Sequence, residues 1–358
     1  MQTNRNSLES PQDEVLQADL NSIIESNFDI SSMQNSTVFV TGATGLIGSQ
    51  IIKALACYNR LKNSNIKIVA SVRSAEKAEK VYGELLQSGE IVLCLGDINK
   101  PISFDENIDY IIHGASATSS RYFVTNPVET ITTAIYGTQN ILEFAREKSV
   151  KAMVYLSSLE VYGTPETGEL IGEDDYGYID PLNVRSSYSE GKRMVECLCV
   201  SYGQQYGVPI KIARLSQTFG AGVEYDDGRV FAEFARCAIE KRDIVLHTSG
   251  ATVRSYCYTS DAVLAILYIL TKGEKNQAYN VTNMDTLISI KEMAELVCET
   301  FKETDIKVEI DIPEDLASFG FNPEMLIKLD STKLMNLGWK PIYRLDEMFR
   351  RVVASMAK

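Results

Sequence analysis

Histidine and tryptophan are scarce in this chain, with two histidines, His113 and His247, and one tryptophan among 358 residues. With so few imidazoles, a zinc centre would need thiolates or carboxylates throughout. The seven cysteines (57, 94, 197, 199, 237, 257 and 298) lack ligand spacing. Only Cys197 and Cys199 stand close together, and C-x-C on a helix points its thiols to different faces. No metal is expected. An odd cysteine count without framework spacing in a long chain also argues against a disulfide scaffold and for reduced thiols. Missing too is any run of about 18 apolar residues, so no membrane span or membrane partner is expected. The opening "MQTNRNSLESPQDEV" has no apolar core of a signal peptide, which makes the cytoplasm the expected location. Positive charge is in deficit: 35 Lys and Arg stand against 48 Asp and Glu, a net charge of −13. Such a field repels polyphosphate, so nucleic acid is not an expected partner and any phosphate must be held by a local device.

What is present is an ordinary globular composition, 45% hydrophobic and 23% charged, in a chain long enough for one large domain or two modest ones. Residues 1–11 read as polar and loose. Leu16, Leu20, Ile23 and Ile24 fall at helical spacing, which predicts a helix packed beside the first strand as an added edge. Apolar strands then alternate with amphipathic helices: "TVFVTG", a helix to about Leu61, "KIVASVR", a helix from Ala75, "IVLCLGD", "YIIHGAS", a helix near 128–147, and "AMVYLSS". This alternation predicts an α/β fold of Rossmann type, a doubly wound parallel sheet with ligands at the C-terminal ends of its strands. A helix around Tyr188–Tyr206 and a strand at "PIKIARL" follow, and the sequence becomes irregular from Phe219. The expected division is an N-terminal extension over 1–34, a dinucleotide-binding domain over 35–218, and a smaller, discontinuous C-terminal substrate lobe over 219–358. Sheet-associated segments near 255–283, "DAVLAILYIL" and "AYNVTN" among them, are expected to return to the first domain.

The local phosphate device is "TGATGLIGS". Gly42, Gly45 and Gly48 form a G-x-x-G-x-x-G turn between the first strand and a helix beginning near Leu46. Without side chains there, the backbone N–H groups of Thr44, Gly45, Leu46, Ile47 and Gly48 can approach a pyrophosphate at the positive end of that helix. The second strand ends in "IVASVRSAEK", with Ser71 where an acidic residue usually meets a free adenosine ribose. Arg73 follows and offers a cation to a 2′-phosphate, which favours NADP(H), with NAD(H) possible. Asp97 and Ile98 close the third strand beside the adenine, and Ala115 and Ser116 close the fourth beside the cofactor's middle.

Chemistry concentrates in "YSEGK", where Tyr188 and Lys192 share a helix face at i and i+4. An ammonium there is expected to lower the phenol's pKa from about 10, making a usable base. In "YLSSLEVYG" a hydroxyl at Ser157 or Ser158 is expected at the cofactor edge.

TGxxGxxG, a hydroxyl before "EVYG", and YxxxK together resemble the extended short-chain dehydrogenase/reductases, the NAD-dependent epimerase/dehydratase family, over nearly the whole chain. Within it "NPVETITTAIYGTQNIL", "RSSYSEGKR", "DGRV" and "VRSYCYTSD" look most like UDP-glucuronate decarboxylases and neighbouring nucleotide-sugar enzymes. The resemblance implies that Ser158 polarises a sugar oxygen, Tyr188 exchanges its proton, and Lys192 orients the nicotinamide ribose. It also implies that Arg254, with Arg229 as a second candidate, grips a nucleotide diphosphate, while Gln217 stands where the family has a substrate-side asparagine. Ala134 occupies a helix position usually held by asparagine. Where deoxythymidine-sugar dehydratases carry an Asp-Glu pair, this chain has Leu159 and Glu160, and Glu160 completes the expected catalytic set. The expected function is NADP(H)-dependent reduction of a keto group on a nucleotide-activated sugar for surface polysaccharide synthesis. The alternatives are an epimerase, decarboxylase or dehydratase working through a transient ketone, or a non-catalytic cofactor sensor. A homodimer through the helices over 128–147 and 188–206 is the assembly the resemblance implies.

Overall fold

The computed structural model describes residues 8–117, 119–165, 169–312 and 326–358. Strands β1 (Thr37–Thr41), β2 (Lys67–Val72), β3 (Ile91–Leu95), β4 (Tyr110–His113), β5 (Ala152–Ser158) and β6 (Ile210–Leu215) alternate with helices. After them come β7 (Gln217–Phe219), β8 (Ile244–Leu246), β9 (Val253–Tyr258), β10 (Ala278–Val281), β11 (Asn283–Ser289), β12 (Val308–Ile310) and β13 (Leu326–Ile327). Among the described residues a seven-stranded sheet runs β10-β6-β5-β4-β1-β2-β3, and each neighbouring pair is parallel. The chain therefore builds outward in one direction from β1 and, after a crossover, in the other from β4. This reversal opens a crevice at the C-terminal ends of β1 and β4, the place where such sheets bind ligands.

Both faces of the sheet are covered, which is why its strands read as continuous apolar runs. Side chains alternate between the faces. Val38 and Val40 join a core with Ile51 and Leu55 of the Leu46–Lys62 helix and Ile266 of the Thr259–Lys272 helix. Phe39 points the other way, into a core with Ile141 and Leu142 and with Val195 and Cys199 of the Ser186–Tyr206 helix. "DAVLAILYIL" is thus a helix lying on the sheet, while "AYNV" is strand β10, hydrogen-bonded to β6. A second sheet, β11-β9-β13 with β7 also paired to β9, packs with the Val230–Glu240, Ile290–Thr300 and Leu345–Met356 helices around a separate core.

The N-terminal helix, Glu14–Glu25, differs from its expected place. Because β1 is central, no edge is available beside it. Leu16, Leu20, Ile23 and Ile24 are instead buried in an outer helical layer against the Leu46–Lys62 helix. Each such burial contributes about 1.5–3 kcal/mol. Residues 1–7 lie outside the described residues, but the segment just after them is not loose as expected. Glu9 is buried and accepts two 2.8 Å hydrogen bonds from Arg60 and one of 2.9 Å from Gln17 Nε2. An acidic side chain that gains a guanidinium partner orders the chain around it.

On the helix's other side, Asp19 is fully buried. It accepts from the Tyr258 hydroxyl at 2.6 Å and from Arg351 Nε at 3.0 Å, tying the extension to the C-terminal helix. Removing one member of a buried ion pair leaves the other uncompensated, typically a loss of 3–5 kcal/mol. Asp19→Ala should therefore lower stability by about 3 kcal/mol in urea unfolding. A change below about 0.5 kcal/mol, the range of a featureless surface substitution, would show that the extension is not anchored through this carboxylate.

Candidate active site

The glycine turn sits where β1 runs into the Leu46–Lys62 helix, and its geometry explains its composition. Gly42 has φ +67°, and a Cβ on it would lie 2.6 Å from the carbonyl carbon of Gly114 at the end of β4. A Cβ on Gly48 would lie 2.3 Å from the Gly42 oxygen. Beneath the turn, the Thr41 hydroxyl is 2.6 Å from His113 Nδ1 and accepts from the Ala115 N–H at 3.2 Å, which locks the ends of β1 and β4 together. Burial holds His113 down at about 3, so the imidazole in this lock is neutral.

The helix N-cap is Gly45, which supplies no side-chain acceptor. First-turn N–H groups lack intrahelical partners, so those of Leu46, Ile47 and Gly48 are available to an anion at the crevice, together with the loop at Thr44. The Gly45 N–H, expected among them, instead donates to the Gly42 carbonyl at 2.9 Å and closes the turn. Asp97 caps the Asn99 N–H at 3.0 Å, and the Ile98 carbonyl accepts from Asn140 at 2.7 Å. Ser116 hydrogen-bonds the Ala117 carbonyl at 3.2 Å. These residues follow β3 and β4, at the same sheet edge as the turn. At the end of β2, Ser71 is buried while Arg73 is exposed. A side-chain-free cradle, open helix donors and strand-end residues at one edge fit a dinucleotide.

Ser158 ends β5, and its Oγ accepts from the Glu160 N–H at 3.2 Å in the short turn Leu159–Tyr162. Tyr188 and Lys192 enter from the first turns of the Ser186–Tyr206 helix. Lys192 is buried, donates to the Leu156 carbonyl at 2.8 Å, and lies 4.7 Å from the centre of the Tyr155 ring and 5.6 Å from that of Tyr188. Burial depresses the Lys192 ammonium to about 8, with Glu196 opposing the shift.

The Tyr188 phenol departs from the sequence expectation. Burial, reinforced by the Glu160 carboxylate, raises it well above the ordinary tyrosine range. A hydrogen bond with Ser158 and the charges of Arg185 and Arg229 pull it back. The physical reason is that helical spacing brings the ammonium near the ring but does not offset the desolvation of the hydroxyl.

Glu160 is not a lone carboxylate. Arg185 grips both its oxygens, at 2.8 and 3.0 Å, and Ser189 Oγ donates at 2.9 Å. The fork–fork geometry is the strong form of such pairs. Neither Arg185 nor Phe123, which stacks on Tyr188 with ring centres 4.2 Å apart, was singled out from sequence. Arg185 stood in the motif "RSSYSEGK" but could not be assigned a partner there. Phe123, in a different helix, gave no signal at all.

The remaining candidates fall on the side of the second sheet and its core. Gln217 opens β7, and Arg254 lies on β9 in the same small sheet. The Arg254 Nε is buried without a hydrogen-bond partner, a donor set aside from the protein's own network. Arg229 is paired with Asp227, its Nε 2.9 Å from Oδ1, and its guanidinium lies over the Phe231 ring. Its charge is therefore largely committed. Ala134 sits in a π-helical turn, Thr133–Gly137, that interrupts the helix over 127–147. Such bulges concentrate near functional sites.

The chain is similar to known proteins over most of its length. Residues 38–282 fit the model of the NAD dependent epimerase/dehydratase family. UDP-glucuronic acid decarboxylase 6 of Arabidopsis thaliana is 31% identical over 316 residues, covering 87% of this chain and 86% of that protein. The mouse (Mus musculus) dTDP-D-glucose 4,6-dehydratase is 28% identical over 321 residues, 88% of this chain and 87% of the relative. Among solved structures, UDP-glucose 4-epimerase of Thermotoga maritima superposes with a TM-score of 0.74 at 20% identity, covering 89% of this chain and 98% of that one. By the extent of the family match and the likeness of full-length relatives, this chain is an enzyme of the NAD dependent epimerase/dehydratase family.

Proposed function

We propose that the chain oxidises a carbinol of a nucleotide-activated sugar to a ketone and returns the hydride in the same cycle, with decarboxylation of a nucleotide-linked hexuronate as the net reaction. The nicotinamide cofactor, when bound, supplies hydride exchange. The protein's part is proton traffic and charge. Tyr188 removes the proton of the sugar hydroxyl, Ser158 hydrogen-bonds the same oxygen, and Lys192 orients the cofactor ribose and keeps a positive charge beside the phenol. A ketone placed β to a carboxylate makes loss of carbon dioxide facile, since the departing electron pair is taken up as an enolate. Arg254 and Gln217, on the second sheet, face the nucleotide end in this reading.

The observation that carries the choice is the pairing of a buried Leu159 with a Glu160 whose two oxygens are both held by Arg185. Expelling water from a sugar calls for a protonated carboxyl beside the leaving hydroxyl, whereas losing carbon dioxide does not. The first of the two residues has no carboxyl, and both oxygens of the second are occupied by Arg185. Likeness to the decarboxylases points the same way. This reading replaces net reduction as the first choice. Reduction stands second, favoured by the exposed Arg73 at the end of β2. A homodimer is supported by Val128, Tyr136 and Met194, which are 65%, 58% and 55% exposed on neighbouring helices, more apolar surface than solvent-facing helices need. All seven cysteines are unpaired, which suits a reducing cytoplasm.

Purified protein with UDP-glucuronate and a trace of cofactor should release carbon dioxide over many turnovers, with no net change in reduced-cofactor absorbance. Stoichiometric NADPH consumption with a nucleotide-linked keto sugar would overturn this reading in favour of the reductase. Tyr188→Phe should lower turnover about 10²-fold or more while leaving cofactor affinity intact, and Lys192→Met should harm both. Unchanged turnover in Tyr188→Phe would remove it as the proton carrier.

Cofactor choice is tested separately. Arg73→Ala should weaken NADP(H) by about 1.5–3 kcal/mol, the scale of a hydrogen bond to a charged group, and spare NAD(H). Titration of both cofactors into both proteins reads it directly, and equal effects on the two would return Arg73 to an ordinary solvated side chain.

A further inference from the structure

Arg185 is assigned no contact with a reacting atom in the chemistry proposed above, yet it joins three groups of the site. Its two terminal nitrogens hold the two oxygens of Glu160 at 3.0 and 2.8 Å. Its guanidinium carbon lies 4.9 Å from the centre of the Phe123 ring. Tyr188 packs on the same ring, stacked on Phe123 with centres 4.2 Å apart and only 12° between the planes. Phe123 is buried, and the Ser187 hydroxyl holds its carbonyl at 3.1 Å, which fixes the platform against the same helix that carries Tyr188. Arg185 and Glu160 are 16% and 18% exposed, so water screens their charges only partly. The Arg185 Nε–H is buried without an acceptor, so the guanidinium is held by Glu160 and by the aromatic face.

We propose that Arg185 is a positioning residue that pins the Glu160 carboxylate beside Tyr188 across the Phe123 platform, so that a neutralised pair rather than a lone anion faces the phenol during proton exchange. The proposal rests on the reading of Tyr188 as the proton carrier. Lysine in place of arginine would keep the charge but not the fork that matches a carboxylate edge to edge.

The groups facing Tyr188 make the consequence directional. Glu160 after β5 disfavours the phenolate. Arg185 favours it, as do the Ser158 hydroxyl and Arg229, the latter already paired with Asp227. Tyr155 on β5 and Lys192 on the tyrosine's own helix complete the surroundings. Removing Arg185 exposes Tyr188 to an uncompensated anion, which makes the phenolate harder to form. Removing the Glu160 charge does the opposite.

The pH dependence of kcat in the cofactor-loaded enzyme tests this. Arg185→Gln should move the Tyr188-dependent midpoint upward by about one pH unit, the low end for loss of an opposite charge nearby. Glu160→Gln should move it downward, and the double variant should return close to the parent. Arg185→Lys should hold the midpoint while lowering kcat, and it carries the test with Glu160→Gln if Arg185→Gln fails to fold. A fall in kcat in both Arg185→Gln and Glu160→Gln, with no recovery in the double variant, would overturn the proposal and leave Arg185 a packing residue. The midpoint moves in the same sense whether Tyr188 takes or gives the proton. Net NADPH consumption would therefore defeat the redox-neutral reading while leaving this test intact.

Discussion

The site depends on how closely two strand ends can approach each other at the crevice between β1 and β4. Gly42 and Gly114 lie in contact there, and any side chain at Gly42 would collide with the Gly114 backbone. That contact lets the Leu46–Lys62 helix start directly over the sheet edge, with Gly48 pressed on the Gly42 carbonyl. Once the helix is so placed, its unpaired N–H groups open on the crevice, where they suit an anion. The neutral His113 beneath, held between the hydroxyls of Thr41 and Thr138, fills the space under the turn without bringing a buried positive charge.

The other half of the site is organised by charges kept out of water. Lys192 is buried against the Leu156 carbonyl, and Glu196 one turn further along the same helix is held by Arg214 at 2.7 Å and by Ser157. Such pairs do little for net stability, because desolvation offsets much of the attraction. Their effect is to fix the end of β5 against the helix that carries Tyr188. Ser158, Tyr188 and Lys192 therefore come from elements already locked together, and the Glu160–Arg185 pair adds a fixed charge pattern beside them.

Much of this was legible in the chain. The alternating apolar strands and amphipathic helices gave the parallel sheet, because a strand buried on both faces must be apolar throughout. Glycine spacing placed the tight turn after β1 because backbone approach imposes a local requirement. The helical period put Tyr188 and Lys192 on one face. The N-terminal helix was recognised as a helix for the same reason, yet its location was misread, since periodicity identifies an apolar stripe but not the surface that will cover it.

What sequence alone determined was therefore everything set by nearest neighbours along the chain: strand and helix periods, the glycine turn, the i, i+4 pair and the absence of metal-ligand spacing. Tertiary structure decided what depends on partners distant in sequence. It placed Phe123 on Tyr188, closed Arg185 on Glu160, committed Arg229 to Asp227, and buried Glu9 and Asp19 against arginines from other helices. The phenol's raised pKa belongs to this second class. Desolvation is a property of the packed surroundings, and no spacing rule along one helix can report how much water the other elements exclude.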